Sequence, residues 1–91
     1  MKLTIKVKRF DEEEVFTTTS VSDFLKWEKE NAPRKIGDLA NGFGLGDVAY
    51  LAWTSLSRAG LINLAFDEWI ETVDELELVE SEDPKALKRA H

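Results

Sequence analysis

The sequence predicts a mainly α, α+β domain, a small helical unit of three to four helices with an N-terminal β-hairpin, over residues 1–80 of 91. Three observations predict it. Apolar residues recur every three or four positions over about 21–31, 45–59 and 66–76, the period of a helix face. Before residue 20 they alternate with polar residues, or are β-branched, as strands require. Proline, glycine and asparagine gather between the helical runs, at Asn31-Ala32-Pro33 and over 41–46.

Each element has its own justification. Leu3, Ile5 and Val7 lie on one side of a strand over about 2–9, with Lys2, Thr4, Lys6 and Lys8 on the other. Asp11-Glu12-Glu13-Glu14 makes an acidic turn without Asn-Gly or Asp-Gly, and a second strand follows over about 14–19. Two strands alone are marginal in water, so the hairpin must pack on a helix or pair with another chain. Ser20 and Asp23 form a short capping box for the first helix, whose apolar side is Val21, Phe24, Leu25 and Trp27. Pro33 ends it. Ile36, Leu39 and Phe43 fit one or two helical turns, loosened by four glycines between Gly37 and Gly46.

The stretch Leu45–Ala59 is apolar around most of its girth, with only Asp47, Thr54 and Arg58 as a narrow polar stripe beside Ser55 and Ser57. Such a helix sits inside something, and in a short chain that something can be partly another protein. Gly60 supplies a left-handed C-cap. Phe66, Trp69, Ile70, Val73 and Leu76 mark a last amphipathic helix, with Asp67 and Glu68 favoured in its first turn. Residues 81–91 are polar and are expected to form a mobile tail.

Composition excludes several classes of function. Without cysteine there is neither a disulfide framework nor a thiolate metal site. The net charge is −6, and Ala59–Pro84 holds nine acidic residues and no basic one. That half repels nucleic acid and anionic lipid; its first reading is solubility, and the sharper one is that it steers a basic partner. The N-terminal residues lack the apolar core of a signal peptide, and no apolar run is long enough to span a bilayer. The expected compartment is the cytoplasm.

Candidates for chemistry are weak. Consecutive carboxylates at 11–14 point in different directions, whereas calcium loops space their ligands around a glycine. His91, the one histidine, stands last in the chain and is hard to hold as a base. No serine has a partner base. Gly42-Phe43-Gly44-Leu45-Gly46-Asp47 lacks the lysine of a phosphate loop. No catalytic, cofactor-binding or metal-ligating residue is expected, and no enzyme.

Trp27, Trp53 and Trp69 stand one per helix. Core packing is their default, yet three such rings exceed what a small three-helix core encloses. At least one is expected at the surface, where tryptophan serves as an interface anchor.

The order of these features resembles the tail assembly chaperones of long-tailed bacteriophages. The likeness covers about residues 1–80. It is carried by Asp23-Phe24, Trp27-Glu28, Leu51-Ala52-Trp53 with Arg58-Ala59-Gly60, and Phe66-Asp67-Glu68-Trp69 with Val73. One departure is Ala65, where a capping Ser or Thr suits the start of a helix better. The resemblance implies a small acidic protein, mostly helical, that coats the tape measure protein in the host cytoplasm before the tail tube forms around it. It also implies self-association, and a longer frameshifted form that recruits the tail tube protein. On this reading Phe24, Trp27, Trp53, Phe66 and Trp69 supply the core and contact surface, and Glu71, Asp74 and Glu75 the rim. The alternative from another class is a small acidic regulatory module, inhibitor or antitoxin-like, acting on a basic protein surface through Asp67–Asp83.

Overall fold

A computed structural model of the chain describes residues 2–35, 37–38, 42 and 44–82, with backbone alone at 80–82. Strand β1, Lys2–Arg9, is the middle of a three-stranded antiparallel sheet. On one side lies β2, Val15–Thr18, and on the other β3, Val73–Glu82. Helices α1 (Val21–Glu30), α2 (Leu45–Arg58) and α3 (Phe66–Ile70) intervene between β2 and β3.

The fold is therefore α+β with a three-stranded sheet, not a helical domain carrying a two-stranded hairpin. The helix expected over 66–76 stops at Ile70, and the chain re-enters the sheet at Val73. The cause is local. In a continuing helix the Trp69 carbonyl would accept from the Val73 N–H. Here it accepts instead from the Thr72 N–H (2.9 Å) and the Thr72 hydroxyl (2.6 Å). The same hydroxyl accepts from Arg9 Nε (2.8 Å), and Phe10 N–H donates to the Thr72 carbonyl (2.9 Å). Residues 81 and 82, expected in a tail, belong to β3, and 83–91 lie outside the described residues. The turns expected around Ile36, Leu39 and Phe43 fall outside them as well.

The alternation of β1 places Leu3, Ile5 and Val7 fully inside, under the helices. Its other face carries Lys6 and Lys8, matched in register by Glu77 and Glu75 of β3. Lys6 Nζ lies 3.1 Å from Glu77 and Lys8 Nζ 3.5 Å from Asp74. Opposite charges across a ladder favour the pairing and offset the poor strand propensity of so many carboxylates.

Phe24, Trp27, Val48, Leu51, Leu56 and Trp69 close the core above the sheet. Helix α2 also holds β2. Its Ser55 hydroxyl meets the Thr17 hydroxyl and donates to the Thr18 carbonyl (3.0 Å). At its far end Gly60 (φ 76°) takes the left-handed position. Gly60 N–H then reaches the Ser57 carbonyl and Leu61 N–H the Leu56 carbonyl, each at 3.0 Å. This is the pair of hydrogen bonds that defines a Schellman stop.

Two clamps lock α1 against α2. Asp23, at the third position of α1, accepts from Ser20 N–H (2.8 Å) and from Arg58 Nε and Nη2 (3.2 Å each). Asp47, at the third position of α2, accepts from Gly44 N–H (3.0 Å). It also accepts from Arg34 Nη1 and Nη2 (3.2 and 3.3 Å). So each helix start is capped by a buried aspartate that binds an arginine near the other helix's end. Arg34 also lies over the Trp27 ring, 4.9 Å from its centroid.

The two enclosed indoles differ. Trp27 Nε1 donates to Asp47 at 2.9 Å, while Trp69 Nε1 has no partner among the described residues. Both rings are fully buried. Trp27→Phe removes volume and a charge-assisted bond, and is expected to cost about 3 kcal/mol; Trp69→Phe removes volume but also an unsatisfied donor, and is expected to cost about 1 kcal/mol. Urea unfolding of the two variants checks the order.

Candidate functional site

Trp53, on the solvent side of α2, is half-buried. Its indole N–H donates to the Leu64 carbonyl (2.8 Å), which pins the link into α3. Its ring meets Tyr50 (5.7 Å between centroids) and the edge of Phe66 (5.8 Å, 76°). Tyr50 and Phe66 also touch (5.8 Å), and Phe66 rests against buried Trp69 (6.4 Å). Three rings thus form a surface patch anchored on a fourth within the core. Tilted and edge-on contacts of this kind are favourable arrangements for aromatic pairs.

Open clefts flank the patch, and Phe66 lines two of them. One, of about 850 Å³, lies between the start of α2, α3 and β3. Its walls are Leu45, Ala49, Phe66, Ile70, Val73 and Leu76, and its rim carries Asp74, Glu75 and Glu77 with Lys6, the ion-pair partner of Glu77. The other, of about 640 Å³, is bordered by Tyr50, Trp53 and Phe66 with Glu30, Arg34 and Asp47.

The electrostatics are set by the clamps and the sheet. Burial works to raise the Asp47 carboxyl. The Gly44 N–H, the Trp27 indole and Arg34 outweigh it, so Asp47 titrates below the ordinary aspartate range. Hydrogen bonding to Glu77, and its charge, hold Lys6 above the usual lysine value. Burial pushes the Tyr50 hydroxyl up. Among the described residues no three acidic or histidine side chains converge as metal ligands, and no helix is long and apolar enough to cross a membrane.

The residues expected to bind a partner separate into three groups. Phe24, Trp27 and Trp69 are buried in the core. Trp53 and Phe66 meet at the surface. Asp74 and Glu75 border the larger cleft beside Phe66, while Glu71, at the end of α3, is exposed outside its lining. The chain matches no known protein family, curated protein or solved structure.

Sequence reasoning passed over Tyr50, Leu45 and Ile70 as surface groups. Tyr50 stands three residues before Trp53, which places both on one helix side. Leu45 (72% exposed) opens α2 and gave no comparable signal.

Proposed function

We propose that this chain is a non-enzymatic assembly chaperone of the kind made by long-tailed phages. In this reading it masks apolar helical segments of the tape measure protein in the host cytoplasm. The observation that carries the reading is the surface patch of Tyr50, Trp53 and Phe66, seated on buried Trp69 and open on both flanks. An apolar helix laid across it would seat side chains in the clefts on either side, as amphipathic helices do in grooves. Acidic rims at Glu30 and at Asp74 and Glu75 keep the free patch soluble and leave the contact weak enough to be undone. The sequence resemblance over residues 1–80 supplies the identity of the helical partner. Further copies of the chain, and the tail tube protein through a longer frameshifted form, complete the set of proposed partners.

Co-expression tests this directly. The tape measure protein is expected to stay soluble with the chain and to precipitate without it. Phe66→Ala, checked for fold by circular dichroism, is expected to weaken binding of tape measure helical peptides by about 30-fold, the loss typical of an interface anchor. Charge reversal at Glu71 and Glu75 should do less. A tape measure protein that precipitates regardless, or a folded Phe66→Ala chain that binds as well as the original, rejects the reading.

A further inference from the structure

A sheet of order β2-β1-β3 leaves two outer edges, and this chain treats them differently. β2 is four residues long. The Thr18 carbonyl, on its outer side, already accepts from Ser55 Oγ (3.0 Å) and Arg58 Nη2 (3.4 Å). β3 is ten residues long. Among the described residues no backbone hydrogen bond reaches it from the side away from β1.

The register shows which groups are open. Thr19 N–H donates to the Leu3 carbonyl, so Leu3, Ile5 and Val7 turn their backbone groups to β2, and Lys6 and Lys8 turn theirs to β3. Opposite these, Glu77 and Glu75 bond back to β1. Leu76 and Leu78 therefore aim N–H and C=O outward, by the alternation of an antiparallel ladder.

The larger cleft lies on this same edge. Consecutive strand residues with side chains on opposite faces, Glu75, Leu76 and Glu77, all line it. A cleft lined by all three in a row borders this strand. A strand added beside β3 would find hydrogen-bond partners at Leu76 and Leu78. Its inward side chains would enter the apolar space under Phe66 and Ile70.

Charge selects the occupant. The strand that β3 accepts within the fold presents Lys6 and Lys8 to Glu77, Asp74 and Glu75. A second copy offering its own β3 would set carboxylates against carboxylates, which is unfavourable. A second copy offering β2 has four residues and an occupied carbonyl. We propose that the β3 edge receives an extended segment of a partner protein in which lysine or arginine alternates with apolar residues, as in β-strand addition. The edge carries this inference, not the aromatic patch, so it holds whether or not the chaperone reading does.

The test uses the full chain, isotope-labelled, and three peptides of about ten residues to match β3. One repeats Lys-Val, one repeats Glu-Val, and one reorders the Lys-Val composition to a helical period. Amide exchange at Leu76 and Leu78 is expected to slow at least about tenfold with the Lys-Val repeat, which should bind about tenfold tighter than the Glu-Val repeat. Glu75→Lys with Glu77→Lys should reverse that preference. Leu25→Ala, exposed on α1 and off this cleft, should leave it unchanged. Should the doubly reversed chain not fold, the comparison on the original chain decides alone. Unchanged exchange at Leu76 and Leu78, equal binding of the Glu-Val repeat, or equal protection by the helical peptide would overturn the proposal. So would exchange that slows with protein concentration and no peptide, which assigns the edge to a second copy.

Discussion

Asp47→Ala is expected to destabilise the fold by about 3 kcal/mol, from a lost helix cap, a buried indole N–H left unpaired, and a partly exposed arginine released to water. The first two dominate, because Arg34 is exposed enough to recover hydration. The urea midpoint should fall with an unchanged slope, the mark of a stability change rather than a change in compactness. Its pH dependence has a definite sign. The folded Asp47 carboxyl titrates below its ordinary value. Its contribution is thus complete above the unfolded aspartate pKa of about 3.9, and fades as pH falls through the lower folded value. The gap between the original chain and Asp47→Ala should be widest near neutrality and narrow in acid below that point. A gap independent of pH would show that the carboxylate's charge contributes nothing.

The second large effect comes from breaking both clamps. Asp23→Ala alone is expected to cost about 2 kcal/mol, for one cap and one two-pronged arginine contact. Asp23 and Asp47 hold opposite ends of the paired helices. Their losses should therefore add, as independent sites do. The sum, about 5 kcal/mol, reaches the lower end of what small domains possess in total. The double variant is expected to lose its cooperative unfolding transition at 25 °C, while each single variant keeps one. Strong non-additivity would mean that the clamps act as one unit through the helix pair.

Much of this arrangement was legible in the residues. The alternation at 2–9, the β-branched run after the acidic turn, the Ser20 start and the Gly60 stop all depend on local chemistry, and the elements lie where that chemistry puts them. The third strand was not legible, for a reason visible in its register. Lys8 pairs with Glu75 but Arg9 pairs with Val73, so Asp74 is an extra residue bulged out of the ladder. Inward positions then fall at Val73 and Leu76, three apart, which imitates a helix continuing from Trp69. A second bulge, at Val79, hides the alternation further on.

The candidate site was half legible. Trp53 and Phe66 could be picked out as large rings on amphipathic faces. That Trp53 stays near the surface while Trp27 and Trp69 do not depends on distant partners: Asp47 for one, the Leu64 carbonyl for another. Arg34 with Asp47, and Arg58 with Asp23, are likewise pairings made by the fold, and no spacing announces them.

The place of β1 in the sheet has a consequence for synthesis. β1 is translated before either of its neighbours, and β3 only after all three helices. Until the ribosome has delivered Val73–Glu82, Leu3, Ile5 and Val7 belong to an unfinished sheet with one side bare. A nascent chain halted before that point leaves one edge of β1 without its hydrogen-bonding neighbour, an open margin of the kind that invites pairing with other chains.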